Sequence, residues 1–271
     1  MQTNKYQGLK IFNNKHHHQV QDYLVVEAPL QININNTPYT VVMRTPEDDI
    51  DLVRGLLYAE DIYKKETNPL MSIQKKQDQV PSVINVAIPK SDLGKGYLNK
   101  RTLLSVSSCG ICGRQELEDM TLKKDALDQI LSFSAEHLFS MFHELQKQQV
   151  VFQQTGGSHA AAIFNQKYQL LTLKEDIGRH NAVDKCVGDL LHQKMLRSAA
   201  YLLVSGRVSY EIVFKAFIAK IPVIIAVSAC STMAVDIAKE LGICLIGFTR
   251  GRKMTIYSNP TFLNIPAENE R

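Results

Sequence analysis

The chain has 271 residues and 45% of them are hydrophobic, so it is long enough for one large domain or two smaller ones with a real core. Its formal net charge of +4 is too small to indicate nucleic-acid binding, although basic residues concentrated in one place would favour an anionic ligand. The longest apolar run, Ile221 to Val227, is far shorter than the about 20 residues of a membrane span. The five cysteines are irregularly spaced, which is atypical of a secreted disulfide framework. We therefore expect a cytoplasmic protein that binds neither membrane nor nucleic acid.

The first part of the chain predicts a polar leader followed by a small α+β domain. The leader covers residues 1–22, and the three consecutive histidines at 16–18 within it are expected to be solvated. The α+β domain covers residues 23–106, where Asn35-Asn36 is typical of a hairpin turn between two strands. Thr45 is in position to cap the helix that follows these strands.

The rest of the chain predicts a short linker, residues 107–115, and a second domain over residues 116–271. Apolar residues at three- and four-residue spacing predict a helix over about residues 116–148. Further strands are predicted at 159–164, 168–177, 200–204, 223–227 and 243–248, and further helices at 179–194, 210–220 and 232–241. Strands separated by helices of this length imply parallel pairing, with helices on both sheet faces. Ligands of such sheets bind at the carboxyl ends of the strands.

Three loops that follow predicted strands each place a glycine beside an arginine. They are Glu175–Asn181, Ser205–Ser209 and Thr249–Lys253. Glycine lets backbone N–H groups approach a ligand closely, and arginine offers a planar fork of donors that matches phosphate oxygens. The sequence therefore predicts a pocket for a phosphorylated, nucleotide-like ligand, with Thr155–His159 as a candidate fourth wall. The candidate ligand-binding residues of the three loops are Arg179, His180, Gly206, Arg207, Thr249, Arg250, Gly251, Arg252 and Lys253.

Two cysteines, Cys109 and Cys112, lie three residues apart in the linker sequence SSCGICGR. A structural zinc site needs about four ligands, and no second cysteine pair supplies the other half. Cys186 and Cys244 fall on an apolar helix face and inside a strand, where we expect them to be buried. The pair is therefore either a thiol-disulfide redox pair or an exposed, glycine-flanked thiol that carries sulfur as a persulfide.

Several long strings of the sequence resemble the formate dehydrogenase accessory sulfurtransferases, the FdhD family, from about residue 25 to 258. The strings are SSCGICGR, TGGSHAAAIF, EDIGRHNAVDK, SGRVSYEIVFKA, VSACSTMAVDIAKELGICLIGFTRGRK and the early EAPL and MRTPEDDIDLVRGLLYAEDI. The resemblance implies a homodimeric cytoplasmic protein that takes sulfur from a cysteine desulfurase. It further implies that the sulfur is delivered to the bis(molybdopterin guanine dinucleotide) molybdenum cofactor, which then serves formate dehydrogenase.

The resemblance also assigns roles to particular residues. Cys109 would carry the persulfide with Cys112 as its assisting partner, and the segment from Phe248 to Lys253 would contact the guanine dinucleotide part of the cofactor. Two functions from other classes stay open, a CxxC thiol-disulfide oxidoreductase and a non-catalytic nucleotide-binding chaperone for a metalloenzyme.

The resemblance further implies a C-terminal cytidine-deaminase-like α/β/α domain with a mixed sheet. Deaminases activate water on zinc with H-x-E at a helix start and P-C-x-x-C at the next strand-to-helix turn. This chain has His180-Asn181-Ala182 and Ser205–Ser209 in those places, so both cysteine ligands and the general acid/base are missing. We therefore expect no zinc, and we expect arginines in the former metal site, where they would bind an anionic nucleotide.

Overall fold

The computed structural model of the protein describes residues 1–12, 16–75, 81–98, 125–128, 131–259 and 261. These residues form a mixed α/β structure with twelve strands in three sheets and six α-helices. The strands are β1 (Thr3–Phe12), β2 (His16–Val25), β3 (Ala28–Ile34), β4 (Thr37–Arg44), β5 (Leu70–Lys75), β6 (Pro81–Ala87), β7 (His159–Asn165), β8 (Leu170–Asp176), β9 (Ala199–Val204), β10 (Val223–Ala226), β11 (Cys244–Arg250) and β12 (Lys253–Ser258). The helices are α1 (Asp49–Ala59), α2 (Ala135–Gln148), α3 (Val150–Thr155), α4 (Arg179–His192), α5 (Tyr210–Ile218) and α6 (Thr232–Glu240).

The first two strands form a separate antiparallel hairpin over the segment predicted as a polar leader. The prediction assigned no strands there, because polar residues on both faces hide the two-residue period that normally reveals a strand. The three histidines at 16–18 lie in β2 and are exposed, as expected.

A four-stranded sheet follows, in the order β4-β3-β6-β5, and α1 packs on it. Asn35 and Asn36 have φ angles of 50° and 65°, so the predicted hairpin turn between β3 and β4 is confirmed. The core of this unit consists of apolar side chains from β3, β6 and α1, among them Ile32 and Leu52, which are fully buried.

The predicted cap of α1 is wrong. The helix begins at Asp49 after Asp48, and the backbone of Glu47 and Asp48 is left-handed, with φ angles of 78° and 54°. The Oγ1 atom of Thr45 instead accepts a hydrogen bond from the backbone N–H of Ile177 at 3.1 Å. Thr45 therefore joins this unit to the second sheet, a long-range contact that local sequence does not reveal.

The second sheet has six strands in the order β12-β11-β10-β9-β7-β8. The central strands β9, β10 and β11 are parallel, while β7 runs antiparallel to both β8 and β9. Helices α4, α5 and α6 pack on one face of the sheet and α2 packs on the other. The predicted strands and helices of this half, with helices on both faces, are thus confirmed, and β12 and α3 are added. It follows that the carboxyl ends of β8, β9, β10 and β11 lie at one edge of the sheet.

The predicted long helix over residues 116–148 is only partly correct. Within the described part of that range, residues 125–128 and 131–134 are not helical, and α2 begins at Ala135. Ser134 caps it, since its side chain accepts a hydrogen bond from the backbone N–H of His137. Upstream, the backbone N–H of Leu127 donates to the carbonyl oxygen of Leu241 at 3.0 Å, which holds that segment beside α6.

The two sheets are joined where α1 crosses α4 at two glycines. A Cβ atom on Gly55 would lie 1.9 Å from the carbonyl oxygen of Asp184, and one on Gly188 would lie 1.9 Å from that of Asp51. The backbones are therefore in contact, which only glycine at these positions permits. None of the helices in the described part of the chain has the length and apolarity needed to cross a membrane.

Candidate functional site at the carboxyl edge of the sheet

The loops after β8 and β9 meet at the edge of the six-stranded sheet, beside the start of β7. The backbone N–H of Ala160 donates to Oγ of Ser205 at 2.9 Å, and the N–H of Ser205 donates to the carbonyl oxygen of Ala160 at 3.0 Å. A Cβ atom on Gly206 would lie 3.2 Å from Nδ1 of His159 and 3.6 Å from Cβ of Arg179. The lack of a side chain at Gly206 therefore leaves room for His159 and Arg179 to pack against the loop after β9.

These loops bring two arginines and two histidines together in a group that we call the basic cluster, defined as His159, Arg179, His180 and Arg207. Burial lowers the pKa of His159, and the neighbouring guanidinium groups of Arg179 and Arg207 lower it further. Among the described residues, neither Nε of Arg179 nor Nδ1 of His180 has a hydrogen-bond partner, although both atoms are buried. Two buried nitrogen atoms without a hydrogen-bond partner beside these basic side chains indicate a place for a bound polar group.

His180 is held in a defined orientation. Its side chain is 5% exposed, and its Nε2 atom lies 2.9 Å from Oε2 of Glu211 and 3.0 Å from Oγ of Ser209. Both groups occupy Nε2, so the opposite nitrogen, Nδ1, is the one left for a ligand. Sequence reasoning missed Glu211, because an acidic residue in the first turn of a helix is ordinarily explained by the helix dipole.

The amino-terminal end of α4 lies at the basic cluster, since Arg179 and His180 are its first two residues. Helix α4 begins at Arg179, and no side chain caps its first turn. Free backbone N–H groups and the positive end of the helix dipole therefore add to the charge of the basic cluster. This combination suits an anionic ligand such as a phosphate.

A buried ion pair stabilises the start of α4. Asp176 accepts hydrogen bonds from the backbone N–H of Thr45 at 3.1 Å and of Gly178 at 2.8 Å, and from Nδ2 of Asn181 at 2.9 Å. Nζ of Lys185 lies 2.8 Å from Oδ2 of the same carboxyl group. Burial raises the pKa of Asp176, whereas Lys185 and the hydrogen bonds lower it. Asp176, Asn181 and Lys185 of the string EDIGRHNAVDK therefore hold the loop between β8 and α4 in position. They are not candidate ligand contacts themselves.

The third predicted loop is the tight turn between β11 and β12. Phe248 and Gly251 are in the left-handed region with φ angles of 51° and 58°, and the phenyl ring of Phe248 is 48% exposed. The side chains of Arg250, Arg252 and Lys253 are exposed beside it. The turn therefore presents three cations and an aromatic ring to the solvent.

This turn and α2 enclose a cleft of about 690 Å³, which we call the α2 cleft. It is lined by Glu136, Phe139, Phe142, His143, Gln146, Thr249, Arg250, Gly251 and Arg252. Thr249 is 1% exposed, and its Oγ1 atom has no hydrogen-bond partner in the described part of the chain. Sequence reasoning identified the half of the cleft that belongs to the turn but missed the half on α2.

The basic cluster and the α2 cleft share one edge of the sheet. Arg207 follows β9 and Arg250 ends β11, and a single strand, β10, separates these two strands. At the usual spacing between strands, their ends are about 10 Å apart. The predicted site residues therefore lie in two neighbouring groups, Arg179, His180, Gly206 and Arg207 in one and Phe248–Lys253 in the other.

The two linker cysteines, Cys109 and Cys112, lie outside the described residues. The other three thiols are free, and burial raises the pKa of Cys230 to about 11 and that of Cys244 to about 12. Burial also raises the pKa of Cys186, and the predicted burial of Cys186 and Cys244 is confirmed. These three thiols are therefore poor nucleophiles at neutral pH. Within the described ranges no group of three or more His, Cys, Asp or Glu side chains is arranged to hold a metal ion.

Comparison with known proteins agrees with the resemblance seen in the sequence. The family model for FdhD/NarQ matches residues 25–264. A sulfur carrier protein FdhD from Sulfolobus acidocaldarius is 39% identical over 247 residues, which cover 90% of this chain and 92% of the relative. The protein of the same name from Streptomyces avermitilis is also 39% identical over 247 residues, covering 88% of this chain and 87% of the relative.

A solved structure shares the fold. The crystal structure of a candidate formate dehydrogenase accessory protein from Desulfotalea psychrophila superposes with a TM-score of 0.74 at 20% identity. The superposition covers 97% of this chain and 100% of the other. Together with the family model, which matches most of the chain, these similarities show that the chain belongs to the FdhD/NarQ family.

Proposed function

We propose that this protein carries sulfur as a persulfide on Cys109 and delivers it to the bis(molybdopterin guanine dinucleotide) molybdenum cofactor. In this proposal a cysteine desulfurase supplies the sulfur, and formate dehydrogenase uses the sulfurated cofactor. The observation that carries the proposal is the sheet edge with its basic side chains and its buried nitrogen atoms that lack a hydrogen-bond partner among the described residues. It occurs in a chain whose relatives are named sulfur carrier proteins. An anionic dinucleotide is the kind of ligand that such an edge suits.

The assignment of the carrier thiol rests on the linker sequence and on the chemistry of the other cysteines. Cys109 and Cys112 are flanked by serine and glycine, whereas the thiols of Cys186, Cys230 and Cys244 have pKa values raised by burial. A sulfur carrier must be reached by a donor protein and must react as a thiolate. Because burial raises the pKa values of the other three thiols, they meet the second requirement poorly, which leaves the linker pair as the proposed carrier.

The transfer consists of two balanced steps. The Cys109 thiolate attacks the terminal sulfur of the desulfurase persulfide, so one S–S bond forms as another breaks and the desulfurase cysteine leaves as a thiolate. In the second step the S–S bond at Cys109 breaks and its electron pair stays on Cys109. The terminal sulfur then passes to the acceptor as a neutral atom, and the acceptor supplies the electron pair of the new bond. The protein begins and ends the cycle with a free Cys109 thiolate.

The two subsites at the sheet edge would hold the acceptor cofactor as a substrate. Arg250, Arg252 and Lys253, which are exposed at the β11–β12 turn, would bind the guanine dinucleotide part through its phosphates. The basic cluster, about two strand spacings away, would bind a further anionic part of the same molecule. In this proposal the ligand extends along the edge and occupies both subsites, and Cys109 delivers sulfur to its reactive end.

The test is intact-mass spectrometry of the full chain after incubation with a cysteine desulfurase and cysteine. A gain of sulfur that disappears in Cys109→Ser, with Cys112→Ser retaining part of it, supports the carrier. The variant Cys230→Ser is the matched control and should gain sulfur as the unmodified chain does, since burial raises the pKa of Cys230 to about 11. Loss of two hydrogens without added sulfur would favour the oxidoreductase, and no mass change would favour the chaperone.

Assembly and location complete the proposal. We expect the chain to act as a homodimer in the cytoplasm, where desulfurase and cofactor are available. Size-exclusion chromatography with light scattering measures the oligomeric state directly, and a monomeric mass at all concentrations would contradict the proposed homodimer.

A further inference from the structure

The α2 cleft contains a carboxylate among cations. Glu136 lines the cleft together with Arg250 and Arg252, yet its side chain has no hydrogen bond or ion pair with another residue of the described ranges. A cleft that served only to bind phosphate would be weakened by this negative charge. The carboxylate therefore suggests that part of the ligand donates hydrogen bonds.

Glu136 belongs to one stripe of α2. The side chains that line the cleft from this helix include Glu136, Phe139, His143 and Gln146, which are separated by three, four and three residues. Such a spacing puts them on the same helix face, over about 15 Å at 1.5 Å per residue. The stripe forms one long wall, and the β11–β12 turn with its two arginines forms the opposite wall.

The side chains that line the two walls of the cleft favour guanine over adenine. An ionised carboxylate is a pure acceptor with two oxygens, and it pairs best with two adjacent N–H donors. Guanine presents such donors, since its N1–H lies beside its N2 amino group, whereas adenine has an acceptor at N1 and would meet the carboxylate with like polarity. The ring of Phe139, half-buried on the same wall, offers an apolar surface for the base.

We infer that the α2 cleft is the base-recognition pocket of the nucleotide site, in which Glu136 accepts hydrogen bonds from N1–H and the N2 amino group of guanine. Arg250 and Arg252 bind the phosphates of the same ligand from the opposite wall. This inference rests on the proposed function, because it specifies how the nucleotide part of the acceptor is chosen. Glu136 is thus a specificity-determining residue.

A structural role for Glu136 predicts a different result. The residue lies in the first turn of α2, where an acidic side chain stabilises a helix through the helix dipole whatever the ligand. Such a role would affect all nucleotides alike. Discrimination between guanine and adenine nucleotides is therefore the informative measurement, and helix content by circular dichroism serves as the check on folding.

The experiment is isothermal titration of the full chain with GDP and with ADP, comparing Glu136→Ala with Glu144→Ala. Glu144 is exposed on the same helix, pairs with Gln148 and does not line the cleft, so its variant is the matched control. We expect the unmodified chain and Glu144→Ala to prefer GDP. The variant Glu136→Ala should lose at least about tenfold in GDP affinity, as expected for a bidentate base contact, while ADP affinity should not fall, because the carboxylate makes no favourable contact with adenine.

A second variant tests the donor and acceptor pattern itself. Glu136→Gln replaces one acceptor oxygen by an amide donor, which matches the 2-carbonyl group of xanthine better than the 2-amino group of guanine. We expect this variant to favour XDP over GDP, the reverse of the unmodified chain. A gain of affinity cannot result from misfolding, so this variant keeps the test decisive if Glu136→Ala is unstable.

Two results would overturn the inference, and only one of them would also contradict the proposed nucleotide site. If the unmodified chain prefers GDP and Glu136→Ala keeps that preference, the base is read elsewhere and the proposed nucleotide site survives. If the unmodified chain binds neither GDP nor ADP, both the inference and the nucleotide part of the proposed function are wrong.

Discussion

The Nζ atom of Lys185 lies 2.8 Å from Oδ2 of Asp176, and neither side chain has any exposed surface. The ammonium group also donates to the carbonyl oxygens of Thr45 at 2.9 Å and Glu175 at 3.3 Å. One buried pair thus joins the first unit, the end of β8 and the interior of α4, directly beneath the helix end that contributes to the candidate site.

Removal of this lysine should be costly. In Lys185→Met the Asp176 carboxylate is left buried without its cation, and we expect the free energy of unfolding to fall by about 3–5 kcal/mol. Urea denaturation measures this difference. The control is Lys64→Met, whose pair with Asp61 is 40% and 46% exposed and should contribute no more than about 1 kcal/mol. Equal losses in the two variants would show that the buried pair has no special role.

The glycine contact between α1 and α4 predicts whether a methyl group added at Gly55 raises or lowers the free energy of unfolding. Helix propensity alone would make Gly55→Ala stabilising by about 1 kcal/mol. A Cβ atom at Gly55 would, however, lie 1.9 Å from the backbone oxygen of Asp184, so the helices must move apart. We expect a net destabilisation of about 1–3 kcal/mol, measured by thermal or urea unfolding.

The control for this prediction is Gly8→Ala, where the nearest atom to an added Cβ is a methyl carbon of Val20 at an ordinary 3.6 Å. A stabilised Gly55→Ala would mean that α1 and α4 are not in backbone contact in solution.

Much of the second half of the fold follows from sequence periodicity. Strands and helices alternate there with clear apolar faces, so the parallel order of β9, β10 and β11 and the common edge of their following loops were predictable. The loops after β8, β9 and β11 can be singled out from the sequence as candidate anion-binding loops, since each places a glycine beside an arginine before any contact is known.

The missing parts depend on contacts between residues far apart in the chain. The true partner of Thr45 is 132 positions away, so a local rule assigned it to a helix cap. Glu211 has a conventional explanation at a helix start until His180 is seen 2.9 Å away. Glu136 lies on a helix that was predicted, but nothing in the sequence tells which helix face meets the β11–β12 turn.

The cations of the β11–β12 turn should contribute strongly to nucleotide affinity. If Arg250 and Arg252 each make a charge-assisted hydrogen bond to phosphate, replacing either by alanine should weaken GDP binding by about 1.5–3 kcal/mol. Isothermal titration checks this, with Arg197→Ala as a control because Arg197 is exposed and pairs with Glu66 instead. Unchanged GDP affinity in both turn variants would reassign the turn to the solvated surface.

The pKa of His159 reports on charge in the basic cluster. Burial lowers this pKa, and Arg179 and Arg207 lower it further, so the folded chain binds the imidazole proton more weakly than the unfolded chain does. The contribution of His159 to stability is therefore present at high pH and is lost as pH falls below about 6.5, the ordinary value of the unfolded residue.

Nuclear magnetic resonance titration of the histidines, with the His159 signal assigned from His159→Asn, measures this shift. We expect a pKa below the ordinary histidine value in the free protein. It should rise in Arg207→Gln, because a neighbouring positive charge is removed, and it should rise on addition of pyrophosphate, because a bound anion favours the imidazolium. Arg197→Gln should leave it unchanged. If the variant Arg207→Gln and pyrophosphate both leave the titration as it was, His159 and Arg207 do not share an anion site, and the basic cluster would not be a subsite for the acceptor.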